Sequence, residues 1–139
     1  MLIPQFNDVQ VGDELPLLQV SAISRTTLAL YAGASGDHNP IHIDIDFARK
    51  SRMPDVFAHG MLSAGYLGRL LTQWVPQPQI RAFSMRFTGI TQLGHTPICS
   101  GRIVEKFEEK GEKRVRVEIK CRNQYGEDKL AGEAVIALV

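Results

Sequence analysis

The sequence predicts an α+β fold in which an antiparallel sheet curls over one long helix. Two observations carry this expectation. From Gly60 to Val75 the residues Met61, Ala64, Leu67, Leu71 and Trp74 recur at helical spacing, and Leu62, Leu70 and Val75 widen the stripe. From Gln79 onward the period changes to two: Phe83, Met85 and Phe87 alternate with smaller or polar partners, and Val115, Val117, Ile119 and Cys121 alternate with charged residues from Arg114 to Arg122. A striped helix and a one-faced sheet each have an apolar side to bury, and stacking one on the other buries both.

The elements follow in order. Val11-Gly12-Asp13 reads as a turn and Glu14 to Ala22 as a short first strand, which Pro16 makes an edge or irregular one. Ser24 can cap a helix running through Leu28, Leu30, Tyr31 and Ala32 and ending near Gly33 or Gly36. The segment from there to His42 is an extended turn, because Pro40 has no N–H and pushes Asn39 out of the helical region. Asp44 to Lys50 forms a short helix with Phe47 facing inward, followed by a solvated basic cluster of Arg49, Lys50 and Arg52. In the long helix Ala64, Gly65 and Gly68 leave room for close packing, Met and Trp are core, and Pro76 and Pro78 stop it. Hairpin turns fall at Glu108–Lys113 and Asn123–Gly126, and the nearly continuous apolar run from Leu130 to Val139 is an interior strand. Residues 1–139 then form a single domain: one strand, the helices, and four antiparallel strands.

Composition narrows the function. A chain of 139 residues can remove roughly two-thirds of its extended-chain surface from water. Lys plus Arg number 16 against 15 Asp plus Glu, so no global basic field points to nucleic acid and no acidic tail to disorder. Cys99 and Cys121 make no zinc or CxxC pattern and read as a reduced pair. No apolar run approaches the ~20 residues of a membrane span, and the first residues lack a signal peptide's basic and apolar regions. The expected location is the cytoplasm.

The residues that can carry chemistry lie in Tyr31-Ala-Gly-Ala-Ser-Gly-Asp-His-Asn-Pro-Ile-His42. The turn can aim Asp37 and His42 into one cleft, and a carboxylate beside an imidazole can exchange protons near neutral pH. Asp and Asn also serve as plain turn residues, and a loop histidine can be merely solvated or packed. His38 and His42 have the spacing of paired metal ligands on a helix, but Pro40 between them opposes that helix, so no metal is expected.

Tyr31 followed by Ser35-Gly36-Asp37-x-Asn39-Pro40-Ile41-His42-x-Asp44 resembles the hydratase-2 motif of the MaoC-like family, which comprises (R)-specific enoyl-thioester hydratases and dehydratases. Ala58-His59-Gly60-Met61, Val11-Gly12-Asp13 and Arg86-Phe87-Thr88 extend the likeness over nearly the whole chain. Within the family the chain is most similar to the dyad-bearing subunits of bacterial (3R)-hydroxyacyl dehydratases, with the stand-alone hydratases close behind.

The resemblance implies the hotdog fold, pairing into homodimers or larger assemblies with the site near the pairing surface, and an acyl thioester of coenzyme A or acyl carrier protein as substrate, with no cofactor. It casts Asp37 and His42 as the catalytic pair, which would hold one water between them for addition at C3 of a trans-2-enoyl thioester, or for its removal in reverse. It casts the Gly60 N–H, at the start of the long helix, as the oxyanion donor, and Asn39 as the residue that fixes the turn or orients a neighbour. Two departures stand out: Gly65 and Gly68 occupy the neighbourhood of a serine that supports the acid in some hydratases, and Phe87 to His95 lacks the proline and acidic residue common there. A thioesterase on the same fold, or a non-catalytic partner subunit, is the rival reading.

Overall fold

The computed structural model describes residues 2–139. Three helices, α1 (Arg25–Ser35), α2 (Ile45–Lys50) and α3 (Gly60–Thr72), accompany five strands, β1 (Leu18–Gln19), β2 (Ile80–Phe87), β3 (Ile98–Glu109), β4 (Glu112–Arg122) and β5 (Asp128–Ala137). The strands form one antiparallel sheet in the order β1-β3-β4-β5-β2. Among the described residues no helix is long and apolar enough to cross a membrane.

Local chemistry sets most boundaries where the sequence places them. Ser24 accepts from the Thr27 N–H and starts α1, and Gly36 ends it in the left-handed region at φ 78°. Gly111, at φ 76°, makes the turn between β3 and β4. Asp44 caps α2 by accepting from the Asp46 and Phe47 N–H groups. α3 ends at Thr72, before either proline.

Two packing units result. The main core lies between α3 and the sheet and gathers Leu67, Leu70 and Leu71 against Val115, Val117, Ile119, Leu130 and Ile136. Cys99 and Cys121 face each other across β3 and β4 as buried free thiols. A second cluster of Ile23, Leu28, Ala48, Val56, Ala58 and Leu62 joins α1 and α2 to the start of α3.

Several expectations fail for identifiable reasons. The strand expected over Glu14–Ala22 shrinks to Leu18–Gln19 plus one isolated bridge from Glu14 to Arg102, since Pro16 breaks any continuous ladder. Phe47 points outward at 41% exposure, and Ala48 fills the inside position of α2. Met61 is 60% exposed because it sits in the first turn of α3, ahead of the residues that cover the sheet. Trp74 is only partly buried at the edge of the core.

The β2–β5 seam depends on one glycine. A Cβ on Gly132, which pairs with Met85, would overlap the Ser84 carbonyl and lie 2.6 Å from the Met85 Cα. Both obstacles are backbone and cannot swing aside. Gly132→Ala is therefore expected to cost about 1–3 kcal/mol or more of stability. A urea midpoint within error of wild type would contradict this.

Candidate active site

A ladder of short hydrogen bonds bends the chain between α1 and α2. Ser35 Oγ accepts from the Asp37 N–H at 3.1 Å, Asp37 Oδ1 from the Asn39 N–H at 3.2 Å, and Asn39 Oδ1 from the Ile41 N–H at 3.1 Å. Each bond spans two residues, so the arc is shaped by its own side chains. Its last part is a 3₁₀ turn, Pro40–His42, within the segment that the sequence marks as an extended turn. Pro40 takes the first position of that turn, where a missing N–H leaves no bond unmade. Asn39 is thus the cap of the turn that presents His42, and His38 is exposed.

The arc brings Asp37 and His42 together, and it adds a residue to which sequence reasoning assigned no role. A carboxylate oxygen of Asp37 and ring nitrogens of His42 and His59 lie within 4.8 Å of one another. His42 Nδ1 is 2.7 Å from the Phe57 carbonyl oxygen. A carbonyl only accepts, so Nδ1 carries the proton and the Nε2 of neutral His42 holds a free lone pair. His59 Nε2–H donates to the Asp37 carbonyl at 3.1 Å, and its ring stacks on His42 with centroids 4.0 Å apart and planes at 27°.

Neighbouring rings complete the wall. Tyr31 meets His59 edge-on at 4.7 Å, and Phe57 meets His42 in the same manner at 5.1 Å. Burial, followed by the Asp37 charge, pushes the Tyr31 phenol above its ordinary value. Burial pushes His59 below its own, against the weaker pull of the Asp37 carbonyl and charge. Asp37, His42 and His59 are also side chains whose ligand atoms lie close enough together to meet a metal ion.

Gly60 opens α3, and its neighbour His59, the N-cap, makes no side-chain bond to the first turn. The Gly60 N–H is thus one of the orphan donors at a helix start. The Phe87 ring lies over Gly60, so close that a Cβ there would be 2.7 Å from the ring edge. Beside it a cavity of about 160 Å³ is bounded by Ala58, His59, Gly60, Ser63, Thr91 and Leu130. Ser63 is 1% exposed and its Oγ has no nitrogen or oxygen partner within hydrogen-bonding distance, only the neighbouring Cys121 thiol. Nothing in the spacing marks Ser63, which sits one turn from His59 on a helix whose other buried residues are leucine and alanine.

The MaoC like domain model matches residues 8–124. The chain belongs to the MaoC-like family. It is 32% identical over 98 residues to the (R)-specific enoyl-CoA hydratase of Rhodospirillum rubrum, covering 69% of this chain and 67% of that one. It is 30% identical over 135 residues to the 3-hydroxybutyryl-CoA dehydratase of Methylorubrum extorquens, covering 94% and 82%. The unliganded R-hydratase of Pseudomonas aeruginosa superposes with a TM-score of 0.82 at 29% identity, covering 96% of this chain and 84% of that one. By contrast this MaoC-like chain spans only 6% of the fatty acid synthase subunit beta of Saccharomyces cerevisiae, to which it is 28% identical. The antiparallel sheet curled around α3 is the hotdog fold of these hydratases.

Proposed function

We propose that the chain is a cytoplasmic hydro-lyase that reversibly hydrates trans-2-enoyl thioesters to (3R)-3-hydroxyacyl thioesters in fatty-acyl metabolism. Relatives named hydratase and dehydratase support hydratase or dehydratase chemistry in general. The observation that carries the finer reading is the His42 tautomer: with Nδ1–H given to Phe57, Nε2 is the free base, on a ring that lies beside the Asp37 carboxylate.

His42 Nε2 takes a proton from a water whose oxygen adds to C3. Asp37 holds the other side of that water and relays the proton that ends on C2, so one water supplies both OH and H. The electron pair displaced from the double bond collects on the thioester oxygen, where the Gly60 N–H and the start of α3 meet it. Dehydration runs the same steps backwards. The thioester is carried on coenzyme A or on acyl carrier protein.

The active unit is a homodimer or larger assembly. Among the described residues β2 lies at the sheet edge with no strand outside it, and Phe83 and Phe87 are 39% and 56% exposed. Such an edge is a template for a second copy, and pairing along it sets the partner beside Gly60.

The deciding experiment gives the purified chain crotonyl and longer enoyl thioesters on each carrier and follows both the conjugated double bond and free thiol. Loss of the double bond without thiol release is the expected result. Thiol release would establish a thioesterase instead, and no turnover by the chain alone would establish a partner subunit.

A further inference from the structure

His59 stands where phenylalanine would pack at less cost. It is 2% exposed and its Nδ1 has no partner, an unfavourable way to bury a nitrogen. The two contacts that a histidine makes here fall on the two residues of the proposed dyad. Its Nε2–H holds the Asp37 carbonyl at 3.1 Å across 22 positions of sequence, and its ring lies flat against His42 at 4.0 Å. Tyr31 closes the far side of the His59 ring at 4.7 Å. One side chain therefore clamps both ends of the arc from outside it.

We propose that His59 is a positioning residue: its ring fixes the angle of the His42 imidazole and its N–H fixes the Asp37 backbone, so that both groups face the same water. His59 is not itself the base. Its Nε2 carries the proton given to Asp37, its Nδ1 is buried, and burial lowers the basicity of the ring, so the water's proton goes to His42. The assignment rests on the Asp37–His42 reading and adds the element that preorganises it.

The test takes the full chain with His59→Phe, His59→Gln and His59→Ala, and measures crotonyl-CoA hydration with melting temperature. Phenylalanine keeps the stacked ring and loses the donor; glutamine keeps an amide donor at the same reach and loses the ring. His59→Phe is expected to melt at or above wild type, yet to lose between about 10- and 100-fold in kcat with KM within about twofold. His59→Gln is expected to recover part of what His59→Ala loses.

Wild-type kcat in a folded His59→Phe variant would overturn the proposal. So would a His59→Gln variant no better than His59→Ala, which also decides the matter if the phenylalanine variant fails to fold. Asp37→Asn in the same assay separates the two levels. If Asp37→Asn keeps its activity the dyad reading fails; if it is inactive while His59→Phe is active, only the clamp fails.

Discussion

Asp37→Asn and His42→Ala are each expected to abolish nearly all hydration of crotonyl-CoA while leaving the circular dichroism spectrum unchanged. A positioned general acid or base contributes about 10²–10⁴-fold, and both residues serve one water. The fold tolerates the changes for different reasons. An asparagine at 37 keeps an oxygen that can accept the Asn39 N–H, so the turn that Asp37 Oδ1 now holds at 3.2 Å survives. Removing the His42 ring strips the Phe57 carbonyl of its donor, which costs about 1 kcal/mol and leaves both packing clusters intact. Turnover and dichroism are measured on the same samples. More than a tenth of wild-type activity in both variants would sink the dyad.

Gly60→Pro is expected to lower turnover by roughly 10²–10³-fold, the loss of one oxyanion donor, or about 3–4 kcal/mol. The backbone admits the substitution. Gly60 is outside the left-handed region, and His59 has φ −58° and ψ 132°, the extended setting that a following proline requires. Proline removes the N–H but also adds a Cβ that would lie 2.7 Å from the Phe87 ring. Gly60→Ala adds the same Cβ and keeps the N–H, so the ratio of the two variants removes the Cβ contact and leaves the exchange of the N–H for the proline ring. Phe87 is 56% exposed and its ring can swing aside, which lets both variants fold. If folded Gly60→Pro and Gly60→Ala turn over equally, the oxyanion is stabilised elsewhere.

Elements with a local cause were legible in the sequence. Ser24 and Gly36 bound α1, Gly111 turns β3 into β4, and the alternation of Val115 to Cys121 marks the core face of β4. The arc was legible too, because Asp37, Asn39 and Pro40 shape it over spacings of two residues. What periodicity does not state is whether a face is covered. Phe83 and Phe87 alternate as core residues do, yet they lie on an edge strand, and Met61 shares the stripe of α3 but precedes the sheet. Phe47 failed for want of length, since six residues of α2 hold too few repeats to fix which side faces in. His59 was visible only as part of a motif. Its contacts reach 17 and 22 positions back, beyond any local spacing, and the one hint was a histidine at the mouth of a helix whose other inner residues are apolar or small.

The second packing cluster carries a consequence for how the chain assembles. Its buried members all fall in one stretch, Ile23 to Leu62, which also contains the arc, His59 and Gly60, with Tyr66 and Leu93 packed against it from further along the chain. β2 and β5, in contrast, join residues more than forty positions apart, as in the pair Phe87 and Leu130. Closing shorter loops forfeits less chain entropy, and contacts of low sequence separation form sooner. The groups that would handle the water can thus gather before the last edge of the sheet is in place, and a local opening of this stretch need not dismantle the strands behind it.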